Sequence, residues 1–184
     1  MADGPARGEI RVGVSSCLLG NPVRWDGGHR RDDFVAGALS RLVTLVPVCP
    51  EVELGMGTPR PPIRLVRANG ETRLVEPVRN VDHTGAMRAW AERRLAELER
   101  EELSGFVLKE GSPSCGLERV EVWSGRPGAP PARDGSGLFA EALRARWPLL
   151  PVEEEGRLRE PARREAFVER LFAHWRLQRL RAGR

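Results

Sequence analysis

The sequence predicts an α/β fold: a Rossmann-like open, mainly parallel sheet with helices on both faces and a small hairpin excursion. Three observations predict it. Short apolar runs alternate with segments of helical periodicity, in the order strand, helix, strand, hairpin, helix, strand, helix, strand, helix. The runs at 43–48 and 106–108 are almost wholly apolar, as strands covered on both faces are. Cys17, Cys49 and Cys115 each stand just beyond a different apolar run. In a parallel sheet, the carboxyl ends of the strands line one crevice, and far-apart sulfurs can meet there.

Ile10, Val12 and Val14 alternate with Arg11 and Gly13, which gives a first strand. Residues 1–9 read as a loose lead-in and 10–184 as a single domain. The loop 15–31 carries Cys17 and the turn Trp25-Asp26-Gly27-Gly28. Asp32 caps a helix to about residue 42, with Phe34, Val35, Ala38 and Leu39 inward. The second strand, 43–48, leads into Cys49-Pro50-Glu51. Past the Pro-rich stretch 58–62, strands 63–67 and 72–76 flank a hairpin turn at Asn69-Gly70. Asp82 or Thr84 opens a long helix to about residue 103. Its apolar stripe is Met87, Ala91, Leu95 and Leu98, with Trp90 beside it.

The strand 106–108 ends at Lys109, and Gly111-Ser112-Pro113-Ser114-Cys115-Gly116 follows. Pro113 fixes one φ, while the two glycines permit turns that other residues resist. Residues 120–123 read as another strand, 124–137 as a mobile Gly/Pro-rich loop, 138–147 as a helix and 149–152 as the last strand. Glu153, Glu154 and Glu155 read as a solvated run, although their place after a strand keeps a site role open. Pro161 suits the first turn of a final helix. That helix carries Phe167, Val168, Leu171, Phe172 and Trp175 on one face and ends in a basic tail.

Composition narrows the function classes. No stretch approaches the roughly 18 uninterrupted apolar residues of a membrane helix. The first residues lack the apolar core of a signal peptide, so a cytoplasmic protein without a membrane partner is expected. Three cysteines, an odd number without a Cys-x-x-Cys pair, argue against a disulfide framework. The net charge is +4, and Lys109 is the only lysine. Single-strand binders interleave base-stacking aromatics with their charge. Nothing here does, so nucleic acid is the less favoured partner.

On the residues alone, three post-strand thiols leave the chemistry open. A structural zinc takes four ligands, the fourth here coming from His29 or a carboxylate. A cuboidal iron–sulfur cluster usually takes four thiolates; with three, one iron keeps an open position and acts as a Lewis acid. Three unrelated buried cysteines are the plain alternative. A thiol enzyme with Cys115 as nucleophile lacks a nearby His base. Glu51, two residues past Cys49, is placed for general acid/base work beside a metal. Ser112, Ser114 and Ser16 either bond a substrate or hold turns, and Asp26 carries the same ambiguity, with the turn role favoured. His29, His83 and His174 are isolated and read as polar surface residues.

Seven motifs run in an order that resembles one family. They are Val12-Gly13-Val14-Ser15-Ser16-Cys17-Leu18-Leu19-Gly20, Pro22-Val23-Arg24-Trp25-Asp26-Gly27, Pro47-Val48-Cys49-Pro50-Glu51, Pro59-Arg60-Pro61-Pro62, 109–116, Gly137-Leu138-Phe139-Ala140 and 151–158. The family is that of the TudS-type thiouracil desulfidases, formerly a bacterial domain of unknown function. The resemblance covers most of residues 10–175. It implies a [4Fe–4S] cluster on Cys17, Cys49 and Cys115 with one open iron, assisted by Glu51 and Ser112. The implied partners are a small thiolated pyrimidine, such as 2-thiouracil, and the iron–sulfur assembly machinery. The implied reaction is non-redox: sulfur leaves onto the open iron and oxygen enters from water. Two departures stand out. Trp25 stands where a tyrosine is expected, and Val81-Asp82-His83-Thr84 departs from the Gly-x-Asp-Val-Thr expected before the long helix. The alternative is a zinc- or nucleic-acid-binding accessory module without turnover.

Overall fold

In the computed structural model, which describes residues 9–68, 70–126 and 128–183, the chain builds two sheets. Strand β1 (Arg11–Ser15) pairs in parallel with β2 (Thr44–Val48) on one side and β6 (Gly105–Leu108) on the other. Strand β6 pairs in parallel with β9 (Val152–Glu154), giving the order β2-β1-β6-β9. Successive residues of a strand face opposite sides, and both sides are covered. Val12, Val14 and Val107 pack against Phe167 and Leu171 of α4 (Pro161–Ala182). Val46, Val48, Phe106 and Leu108 pack against α2 (Thr84–Leu98) and α3 (Leu138–Arg146). Gly13 faces the Phe106 ring, and a Cβ there would lie 2.9 Å from Phe106 Cζ. Only glycine lets the ring lie across the strand.

The α/β class with helices on both faces therefore holds, and the hairpin proves part of something larger. Strands β3 (Arg64–Ala68) and β4 (Glu71–Glu76) join β5 (Val81–Asp82), β7 (Val120–Ser124) and β8 (Ala132–Gly135) in a mixed sheet ordered β5-β4-β3-β7-β8. Only β3 and β7 run parallel within it. Leu65, Leu74, Val120 and Val122 join this sheet to the core around α2 and α3. Of the expected hairpin turn, Asn69 lies outside the described residues, as do residues 1–8 of the expected lead-in; Gly70 has φ +81°.

Several expectations are corrected. The stretch 124–137 is not all loop, because it holds β8. Charge pairs support that strand where apolar alternation does not: Arg133 meets Glu121 at 3.0 Å, and Arg67 meets Asp134 at 2.9 Å. Strand β2 is an edge rather than a doubly covered strand, and Pro47 is exposed on it, where a missing N–H costs no ladder bond. The expected helix 32–42 is a wide turn over Phe34–Ala38 followed by a tight one over Leu39–Arg41, with Gly37 weakening regular helix between them. Asp32 does cap it, accepting the Val35 N–H at 2.9 Å, and Val35 and Leu39 are buried, but Ala38 is exposed.

Helix α2 stops at Leu98. A tight turn, Glu99–Glu101, follows, and Glu102 takes a left-handed conformation at φ 48°. Its expected stripe and Trp90 are buried. The last strand lies later than expected, at Val152–Glu154, while Leu149 is 75% exposed. Glu153, Glu154 and Glu155 are consequently not solvated but buried. No helix among the described residues is long and apolar enough to cross a membrane.

Candidate active site

The strand order β2-β1-β6 sets Cys49, Cys17 and Cys115 beyond the carboxyl ends of three neighbouring strands. All three line one cavity of about 240 Å³. Glu51, Ser15, Ser16, Ser112, Arg24, Trp25, Arg60 and Lys109 share its wall. Trp25 is 47% exposed at this wall. Each cysteine arrives by its own local device.

Cys17 sits in a single tight turn, Ser16–Leu19, directly after β1. Its carbonyl accepts the Arg30 N–H at 2.9 Å, and Gly20 closes the turn at φ +96°. Ser16 Oγ accepts from the Asn21 side-chain amide at 2.8 Å.

Cys49 stands at the start of a one-turn helix, α1 (Pro50–Glu53), with Pro50 in the first helical position. Its N–H donates to Glu53 Oε1 at 2.9 Å. The turn folds Glu51 back, so that Oε2 lies 3.6 Å from Cys49 Sγ. Arg60 lies 3.7 Å from the same oxygen and is fixed by donating to the Val23 and Gly57 carbonyls at 3.0 and 2.8 Å.

Cys115 needs more support. Ser112 Oγ accepts the N–H groups of Ser114 at 3.2 Å and Cys115 at 3.0 Å. A hydroxyl has two acceptor positions and one proton, so the Ser112 proton stays free to donate. The first N–H groups of α3 have no partner inside their helix. They donate to the Pro113 and Ser114 carbonyls, and Gly137 donates to Gly116 at 2.7 Å. Gly137 must be glycine here, since a Cβ would lie 2.7 Å from the Cys115 nitrogen.

Burial pushes Cys17 up to about 11, with the Glu51 charge adding to it. Burial, then Glu51, pushes Cys49 up to about 12. The same two causes hold Cys115 well above the ordinary thiol range, against a hydrogen bond from the Ser15 hydroxyl. Burial and Glu51 thus favour the protonated thiols against the nearby cations Lys109, Arg24 and Arg60, and a cationic group bound in the cavity would favour the thiolates. No three His, Cys, Asp or Glu side chains among the described residues gather closely enough for a single metal ion. Three sulfurs spread around one cavity fit a polynuclear cluster better than a mononuclear zinc.

The structure thus brings Cys17, Cys49, Cys115, Glu51, Ser112 and Ser16 together, and leaves three candidates outside. Ser114 is fully buried behind the loop, and its Oγ has no hydrogen-bond partner among the described residues. Asp26 closes its own exposed turn, accepting the Gly28 N–H at 3.0 Å. His29 is exposed and accepts the Arg31 N–H at Nδ1, so it is no fourth ligand here. Sequence reasoning gave Lys109 and Arg60 no role at the site. For the acidic run it favoured solvation, although its placement directly after an apolar run, like that of the cysteines, pointed the other way.

Fold and cavity define a class: α/β proteins with three cysteine thiols lining one cavity at the carboxyl edge of a parallel sheet. Comparison with known proteins narrows this. The 2-thiouracil desulfurase family model matches residues 12–155, and the chain belongs to that family. The family is one of enzymes. Uncharacterized protein YbbK of Bacillus subtilis (strain 168) is 32% identical over 108 residues, which are 56% of this chain and 71% of YbbK. The solved structure of the [4Fe-4S]-dependent thiouracil desulfidase TudS superposes with a TM-score of 0.68 at 32% identity, over 86% of this chain and 99% of TudS.

Proposed function

We propose that the protein hydrolytically desulfurates a thiolated nucleobase of the 2-thiouracil type, using a [4Fe–4S] cluster held by Cys17, Cys49 and Cys115. The observation that carries this reading is the convergence of those sulfurs, Glu51 and Ser112 on one cavity wall. Held by three thiolates, the cluster supplies a Lewis-acidic iron with a free position for a soft sulfur atom.

The chain's own groups account for the remaining chemistry. The ring carbon–sulfur bond breaks and a carbon–oxygen bond forms. Water supplies the oxygen, its two protons leave with the sulfide, and no electrons change hands. Glu51 Oε2 faces the cavity beside Cys49 and takes a proton from the attacking water. Arg60 holds that carboxylate in place. The free Ser112 proton donates to a ring oxygen or nitrogen and orients the base. The same reading makes residues 10–184 one catalytic domain of a cytoplasmic enzyme, loaded by the iron–sulfur assembly machinery.

Anaerobic reconstitution with iron and sulfide, followed by addition of 2-thiouracil, tests the proposal. About four irons per chain and formation of uracil are expected. Trace iron with intact thiols, or one stoichiometric zinc, would overturn it.

A further inference from the structure

Two buried carboxylates at the end of β9 take no part in that chemistry. Glu154 and Glu155 are 6% and 4% exposed. Buried charge needs partners. The hydrogen-bond partners of both carboxylates belong to one segment, the connection from β6 to β7 that delivers Ser112 and Cys115. Glu155 grips its start: Oε2 accepts the Glu110 N–H at 2.7 Å, and Oε1 meets the Lys109 ammonium. Lys109 in turn donates from Nζ to the Glu110 carbonyl at 2.9 Å and from its backbone N–H to Ser15 Oγ at 3.0 Å. Glu154 grips its end: Oε1 accepts the N–H groups of Leu117 at 2.8 Å and Glu118 at 3.4 Å. Gly156, just beyond the pair, leaves the space that the Glu110 carboxylate fills.

We propose that Glu154 and Glu155 are positioning residues: a two-ended carboxylate brace that sets the Ser112–Cys115 loop in its working shape before any cofactor binds. The proposal rests on reading Cys115 as a ligand and Ser112 as a donor. The oxygens impose an asymmetry. Both N–H groups at Glu154 use one oxygen, so an amide replaces it. Glu155 uses both oxygens for donors, and an amide nitrogen would face a donor on one side. Glu154→Gln therefore keeps the brace, while Glu155→Gln and Glu154→Ala open it.

The test uses the metal-free, reduced protein, with mass-spectrometric alkylation rates for Cys115 and Cys49 and amide exchange at 110 and 117–118. Glu155→Gln and Glu154→Ala are expected to speed Cys115 alkylation about tenfold or more, with Cys49 unchanged. Glu154→Gln is expected to match wild type. In each disrupted variant, exchange rises at the end it releases. After reconstitution, these two variants lose iron faster than Glu154→Gln and show an altered cluster spectrum. Equal behaviour of the two Gln variants, or Cys49 rising in step with Cys115, overturns the brace. If Glu155→Gln does not fold, Lys109→Met opens the same end and faces the same comparison. The metal-free arm needs neither iron nor turnover. Its failure removes the brace and leaves the desulfurase reading, whereas absence of iron from the wild type removes the ligand role on which the brace rests, whatever the alkylation rates show.

Discussion

Cys17 and Cys49 reach the cavity by a short route, and Cys115 by a long one. Cys49 is the first residue past β2 and Cys17 the second past β1, whereas Cys115 is the seventh past β6. The first two inherit their places from the parallel register and need only a local turn each. At Cys115 the strand no longer dictates position. The Ser112 hydroxyl, the N-terminus of α3 and the β9 carboxylates together fix the loop. Distance from the strand end thus decides how much hydrogen bonding must be built around a cysteine to place it at the cavity.

The largest effect ignores the difference between the routes. Replacing any one of the three cysteines by Ser is expected to cut iron to trace levels and abolish uracil formation. Full iron retention by Cys17→Ser would instead leave Cys115 acting alone. Next comes Glu51→Gln, which keeps the cluster but removes the base: kcat is expected to fall about 10²–10⁴-fold with iron content unchanged.

A pair of glycines then separates the routes. Gly137→Ala pushes a Cβ against the Cys115 backbone, and Gly13→Ala pushes one against the Phe106 ring in the shared sheet. Each is expected to cost about 1–3 kcal/mol in denaturant unfolding of the metal-free protein. Only Gly137→Ala should speed Cys115 alkylation ahead of Cys49.

The last effect is confined to alkaline pH. The buried thiols titrate higher folded than unfolded, at about 11 for Cys17 and 12 for Cys49 against an ordinary 9.0. Below about 9 both states keep these protons and the contribution to stability is complete. As pH rises toward 11 and 12, the unfolded chain releases protons that the folded chain retains, so metal-free stability falls. Urea melts across this range should show the fall. It should shrink in the cluster-loaded protein, whose thiols have already lost their protons.

The sequence carried much of this architecture. Strand ends marked by Cys17, Cys49 and Cys115 were legible because apolar runs stop abruptly at polar or Gly/Pro residues. The stripe of α2 was legible because it repeats at helical spacing. Strand β8 was not, since Ala132-Arg133-Asp134-Gly135 has no apolar alternation and pairs through its charges. Glu153, Glu154 and Glu155 were misread for a related reason: three consecutive acids are ordinarily solvated, and tertiary partners such as Lys109 and the Leu117 N–H, beside the local Arg157, make their burial affordable. Glu51 and Ser112 could be named in advance because they lie close in sequence to the cysteines they accompany. Arg60 reaches Glu51 from a separate Pro-rich loop, and linear spacing gives no hint of that meeting.

Lys109 is the only lysine in the chain, and it sits at the cavity wall. Amine acylation of side chains thus reports from a single position. No other lysine adds background, and the attached group would lie at the cavity wall. Acylation there also removes the ammonium that meets Glu155, so its rate would gauge whether that end of the loop is held closed, without a single substitution.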